Sequence, residues 1–277
     1  MTNAGSEEIE ADPAFAPWLA RWELTPDGNP ERTGYAGNLL LPVRQGGVAA
    51  ILKLSRHPED RRGAALMAWW DGDGAARVLA REGEALLMER LEGPRSLVTM
   101  ARGGLDDAAS EVLCAVADRL HANRPKPPPA ELIPLDVWLR ALAPAAQAQG
   151  GVLVRCQAMA QRLLAADEEP CVLHGDLHHA NVLDSPRGWL AIDPKGIRGP
   201  RGYDYANILC NPDAGTALAP GRLERQAAVV AEAARLPRER LIQWLLVHAG
   251  VSAAWCVQDG FDPAAALAIA EIASRLP

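Results

Sequence analysis

The feature that most restricts how this chain can fold is one continuous stretch, CVLHGDLHHANVLDSPRGWLAID, residues 171–193. Its apolar segments are short, and Ser185–Gly188 carries turn chemistry between two of them. VLDSPRGWLAI therefore predicts a β-hairpin. HGDLHHAN (174–181) becomes the loop that enters the hairpin, since Gly175 and the strand that follows oppose a helix. Asp193 falls at the hairpin's exit. A fold built on this stretch has to bring three oxygen-bearing side chains, Asp176, Asn181 and Asp193, toward one place.

The flanking sequence predicts an α+β fold. LLLPV (39–43), RQGG (44–47) and VAAILKL (48–54) read as strand, turn and strand. HPED (57–60) starts a helix, with proline at its first position and acids in its first turn. RRGAALMAWW continues it, and DGDG (71–74) stops it. AARVLA (75–80) and ALLMER (85–90) read as two more strands joined by REGE. Beyond Gly93 helical spacing takes over: Val112, Leu113, Val116 and Leu120 in 106–121, then Val152, Cys156, Met159 and Leu163 in 152–166. The proline-rich 123–134 is a connection, and from Pro220 onward helices are separated by LPRE (236–239) and DGFDP (259–263). The expected organisation is a small antiparallel-sheet lobe with one main helix, residues 1–92, and a larger, mostly helical lobe, residues 93–277.

Bulk properties narrow the partners. The net charge is -7 and no long basic run occurs, which disfavours nucleic acid and suits a cationic small molecule. MTNAGSEEIEADPAF lacks the charged-then-apolar pattern of a secretory signal, and no apolar run is expected to span a bilayer. The expected compartment is the cytoplasm, and the expected assembly a monomer. Five dispersed cysteines without a CxxC pair predict buried apolar thiols rather than disulfides or a cysteine zinc site.

The spacing of the oxygen donors points to phosphoryl transfer. That chemistry needs a carboxylate beside the attacking hydroxyl and hard oxygen ligands for Mg²⁺. Asp176 suits the first role. Asn181, five residues on, and Asp193 suit the second. HGDLHHAN resembles the catalytic loop of the aminoglycoside phosphotransferases, which have a two-lobed protein-kinase-like fold. IDPKG (192–196) resembles their magnesium segment. RGWLAIDPKGIRGPRGYDYANILCNPD (187–213), GAALMAWWDGDGAARVL (63–79) and VSAAW (251–255) are similar to the subfamily of streptomycin 6-phosphotransferase and hydroxyurea resistance kinase. The resemblance implies an ATP-dependent kinase that phosphorylates a hydroxyl of an aminoglycoside such as streptomycin, or hydroxyurea.

It implies further parts. Lys53 takes the place of the lysine that holds the nucleotide phosphates, and TGYAGN (33–38) that of the glycine-rich loop. The helix acid that pairs with this lysine has no obvious counterpart, because position 63 is glycine; Asp60 is the substitute. The main chain of Glu89 to Leu91 should read the adenine edge. Asp204 resembles the aspartate that braces the catalytic loop. HGD in place of HRD and the lack of an APE-like segment argue against a kinase acting on proteins. Two other readings stand beside this one. A nucleotide-binding pseudokinase would keep the fold without the chemistry. A histidine-metal hydrolase would use His174, His178 and His179 as zinc ligands. Asp213 and Asp259 read as solvated acids or as groups facing a cationic acceptor. Trp244, His248 and Trp255 read as core, with Trp255 also a candidate to shape the acceptor pocket.

Overall fold

The computed structural model describes residues 12–33 and 37–276; the centre of the candidate glycine loop, residues 34–36, lies outside them. Helix α1 (Ala16–Arg21) leads into strands β1 (Leu24–Pro26), β2 (Glu31–Thr33), β3 (Asn38–Gln45) and β4 (Val48–Leu54), then helix α2 (Pro58–Trp70). Strands β5 (Val78–Glu82) and β6 (Ala85–Glu89) complete an antiparallel sheet of order β1-β3-β4-β6-β5, with β2 on β3.

Alternation along β4 divides its side chains between two faces. Ala50, Leu52 and Leu54 join Leu41, Val43 and Leu87 on one face, which Phe15, Trp18 and Trp22 cover. Lys53 points the other way, directly across from Leu40 and Leu86 in the register of the neighbouring strands. Helix α2 begins with Pro58 at its first position and Glu59 and Asp60 in its first turn, and ends on a left-handed Asp71.

One expected strand is shifted. Residues 75–77 do not begin β5, which starts at Val78. Ala75 bridges Ala191, Ala76 N donates to Ala191 O (2.9 Å) and Ala191 N donates to Gly74 O (2.9 Å). Ala75 and Ala76 are fully buried.

The second half holds α3 (Leu97–Arg102), α4 (Asp106–His121), β7 (Ile133–Pro134), α5 (Leu135–Trp138), α6 (Leu142–Gln149) and α7 (Val152–Leu164). Next come β8 (Cys171–Leu173), β9 (Val182–Leu183), β10 (Leu190–Ala191) and β11 (Ile197–Gly199). Helices α8 (Gly202–Leu209), α9 (Ala214–Ala217), α10 (Arg222–Ala233), α11 (Arg238–Gln258) and α12 (Ala264–Ala273) close the chain. Strands β9 and β10 are the expected hairpin, and β11 lies between β7 and β8. One hydrophobic core joins Leu66, Met67 and Trp70 of α2 and Met88 of β6 to α4, α7, α8 and α11.

Helix α11 corrects one expectation: its 21 residues are long and apolar enough to cross a membrane by length and composition. Here 67% of its apolar window is buried in the protein, against α7, α8 and α12, as befits a core helix. Trp244 and His248 on it are buried, as expected for core positions.

Candidate active site

The loop after β8 is held by a single buried aspartate. Asp204, in the first turn of α8, accepts hydrogen bonds from His174 N and Gly175 N, both at 2.8 Å, and from His121 Nε2 at 2.8 Å. Burial alone would raise its carboxyl, but the His121 hydrogen bond and charge and the Gly175 N–H hold it below the ordinary value. Gly175 has φ +83°, and a Cβ there would sit 2.4 Å from Ile197 Cδ1, so only glycine fits. His174 is fully buried: its Nδ1 accepts from Asp176 N (3.2 Å) and its Nε2 donates to Ile192 O (2.9 Å). This pattern is that of a neutral ring, and burial lowers its basicity. The loop and the hairpin exit are thereby fixed to each other. Ile192 N donates to Asn181 O (2.9 Å) and Lys195 N to His174 O (2.7 Å).

Within this frame the charged groups converge. Asp176 accepts from Asn207 Nδ2 (3.1 Å) and from Asn181 Nδ2 (3.3 Å). Asn181 Nδ2 also donates to Asp176 O at 2.9 Å, which leaves the amide oxygen for other partners. Lys53 Nζ bonds Asp193 Oδ1 at 2.6 Å and Asp60 Oδ1 at 2.7 Å. Ser55 Oγ donates to the other oxygen of Asp60 at 2.6 Å. Asp193 has a left-handed backbone, φ +60°. Burial opposes its charge, but the ammoniums of Lys53 and Lys195 bring its carboxyl down to about 2. Lys195 Nζ lies 3.5 Å from Asp193 Oδ2 and 3.9 Å from Asp176 Oδ2. Burial works against its charge too, yet the carboxylates of Asp193 and Asp176 outweigh it and raise its basicity.

The missing mid-helix acid has a steric explanation. A Cβ at position 63 would lie 2.1 Å from Pro194 O. Helix α2 thus passes so close to the segment after Asp193 that only glycine fits at the contact. The acid reaching Lys53 comes instead from Asp60, one helical turn earlier.

Two clefts meet at this cluster. One, of about 580 Å³, is lined by Lys53, Asp60, Asp176, Asn181 and Asp193 together with Leu40, Leu86 and Met88. The other, of about 990 Å³, is lined by Asp176, Glu59, Asn207, Trp138, Trp255 and Asp259, among others. Trp138 and Trp255 pack edge to face, 5.1 Å between ring centres. Five of the seven residues expected at the site therefore share one cleft. Glu89 and Leu91 do not line it. They follow Met88, and the Glu89 carboxylate pairs with Arg187 and accepts from Arg77 N (2.7 Å). Asp213 caps α9 and pairs with Arg102 at 2.9 Å, away from both clefts.

Sequence reasoning missed Lys195, Asn207 and Ser55. Lys195 was visible only as part of IDPKG, and Asn207 only as the residue three after Asp204 on one helix. The zinc reading does not survive. His174 faces inward, His179 is buried with neither ring nitrogen hydrogen-bonded, and His178 lies 3.7 Å from Asp176. Among the described residues no three His, Cys, Asp or Glu side chains are grouped to hold a metal ion.

A small antiparallel sheet with one main helix, a larger helical part, and a cleft of lysine and carboxylates between them define the protein-kinase-like fold. The same fold occurs in the crystal structure of a thermostable mutant of aminoglycoside phosphotransferase APH(4)-Ia, in ternary complex with ADP and hygromycin B. The TM-score is 0.66 at 15% identity, over 94% of this chain and 97% of that one. A family model described as aminoglycoside/hydroxyurea antibiotic resistance kinase matches residues 21–260, and the chain belongs to that family. It is 47% identical over 248 residues to streptomycin 3''-kinase of Klebsiella pneumoniae, covering 87% of this chain and 92% of that protein. It is 32% identical over 303 residues to streptomycin 6-kinase of Streptomyces griseus, covering 99% and 94%. The chain is thus a phosphotransferase, and nothing favours an inactive module.

Proposed function

We propose that the protein transfers the γ-phosphate of ATP to a hydroxyl of streptomycin, and to the 3'' position in preference to the 6. The 47% identity to a streptomycin 3''-kinase, against 32% to a 6-kinase, supports the position. The observation that carries the chemistry is that Asp176 borders both clefts, with the lysine and oxygen donors on one side of it and the aromatic, acidic cleft on the other.

In this reading residues 1–92 bind the nucleotide and residues 93–277 supply the catalytic loop and the acceptor pocket. Lys53, tied to Asp60, holds the nucleotide phosphates, and the main chain of Glu89 to Leu91 meets the adenine. Asn181 and Asp193 offer a neutral amide oxygen and a carboxylate kept ionised by two lysines, a hard-oxygen set that fits Mg²⁺. Bound there, the ion would neutralise charge on the nucleotide phosphates. Asp176, fixed by Asn181 and Asn207, orients the acceptor hydroxyl and takes its proton. Glu59 and Asp259 with the Trp138–Trp255 pair suit a cationic acceptor through charge and ring-face attraction. The cytoplasm, where ATP is supplied, is the proposed site of action.

The test is steady-state transfer from Mg·ATP to streptomycin, with the phosphate located by NMR. One phosphate on the 3''-hydroxyl is expected. Asp176→Ala is expected to cut kcat by about 10²–10⁴ while ATP binding is retained. Phosphate at the 6 position, or on hydroxyurea alone, refutes the assigned acceptor. Unchanged turnover in Asp176→Ala refutes the role of Asp176.

A further inference from the structure

Lys195 stands where the two clefts meet: it lines both of them, and its side chain is only 16% exposed. Its main chain is clamped. Its own N–H donates to His174 O at 2.7 Å, and the preceding Pro194 carbonyl lies under Gly63 of α2. Proline at 194 also restricts the backbone torsion just before it.

The two lysines of the site are held differently. Lys53 makes contacts of 2.6 and 2.7 Å, the length of fully formed charge-assisted bonds. Lys195 makes one long hydrogen bond, 3.5 Å to Asp193 Oδ2, and stands 3.9 Å from Asp176 Oδ2, both longer than a fully formed charge-assisted bond. Its ammonium hangs between Asp193 and Asp176 and is tightly bound to neither. With three N–H donors and no short contact, it keeps capacity for a further anionic partner. A carboxylate-neutralising role alone would favour shorter contacts, and the side chain would not need to reach the boundary of both clefts.

We propose that Lys195 is a further catalytic residue, whose ammonium contacts the phosphoryl oxygens as the group crosses from the nucleotide cleft to the acceptor cleft. This rests on the kinase reading above. In the step, the acceptor oxygen forms a bond to the γ-phosphorus. The bond between that phosphorus and the β–γ bridging oxygen breaks, and its electron pair leaves with ADP. The acceptor proton passes to Asp176. Charge on the equatorial oxygens moves toward the acceptor during this step, so a cation at the boundary favours the transition state over the bound substrates.

The experiment compares wild type, Lys195→Met and Lys195→Arg in steady-state transfer to streptomycin, with thermal melting alongside. Lys195→Met is expected to lower kcat by about 10²–10³ and leave KM for ATP and acceptor within about threefold. Lys195→Arg keeps a cation and is expected to recover at least about tenfold of that loss. If Lys195→Met does not fold, the Arg variant must still retain kcat within about 10²-fold of wild type, and a deeper loss overturns the proposal. A Lys195→Met enzyme with near-wild-type kcat overturns it, as does a loss confined to KM for ATP or an Arg variant no better than Met. Wild-type protein that transfers phosphate to no acceptor overturns the kinase reading itself, whereas active wild type with active Lys195→Met overturns only the role of Lys195.

Discussion

Gly63→Ala sets two physical effects against each other. By helix propensity alone, alanine inside α2 stabilises the protein by about 1 kcal/mol. The structure predicts the opposite. The new Cβ would stand 2.1 Å from Pro194 O and 3.2 Å from Pro194 C, against an ordinary contact beginning near 3.4 Å. The obstacle is main chain and cannot rotate aside, so about 1 Å of separation must open between α2 and the segment after Asp193. Forced overpacking of this kind costs about 1–3 kcal/mol, and the carbonyl contact belongs at the upper end, which outweighs the propensity gain. The net loss of about 1–2 kcal/mol corresponds to a Tm lowered by about 2–4 °C for a chain of this size. Activity falls further than stability. Asp60 rides on α2 and Asp193 on the displaced segment, and Lys53 binds both, at 2.7 and 2.6 Å. A displacement of about 1 Å at such a site costs about 10² in kcat. Calorimetry and steady-state kinetics on the same preparation measure both effects. A Gly63→Ala protein as stable as wild type, with kcat within about threefold, would show that α2 does not press on this segment.

Two further outcomes follow from the site's surroundings. Asp204→Ala removes the acceptor of two buried N–H groups and of His121, and is expected to cost about 2–5 kcal/mol and to loosen the loop that carries Asp176. Because the native Asp204 carboxyl lies below its ordinary value of 3.8, its contribution is complete above that pH and is lost as pH falls through the native value. Urea denaturation should therefore show the gap between wild type and variant narrowing below about pH 4, and a gap that widens in acid refutes the assignment. Burial pushes the thiols of Cys114, Cys156, Cys171 and Cys210 up to about 12, so of the five cysteines Cys256 is expected to react first with a disulfide reagent at about pH 8. Cys256→Ser should abolish the fast phase, and a fast phase that persists contradicts this.

Much of the architecture was legible because it is encoded in local spacing. The hairpin after HGDLHHAN, the turn between β3 and β4, the start of α2 at Pro58 and its end at Asp71 all stand where the sequence puts them. Asp176, Asn181 and Asp193 could be named from order and spacing and Lys53 from the family resemblance, and the four share one cleft. The short α3 and α5 and the strands β7 and β11 carried no such signal. Two to six residues are too few to show a period, and β7 exists only because β11 pairs with it.

What the sequence determined by itself was the set of chemical groups and the local elements that present them. Periodicity of two or of 3.6 residues depends only on the backbone and on which face is apolar. What only the tertiary structure decided was which groups touch. Glycine at 63 read as a missing acid until the approach of Pro194 O explained it, and Asp60 gained its partner through that same packing. Lys195 gained its position between two carboxylates, and the larger cleft its walls from residues 57–62, α5 and α11, in the same way. These contacts join segments far apart in the chain, and the close packing of whole elements sets their distances, which no local pattern records.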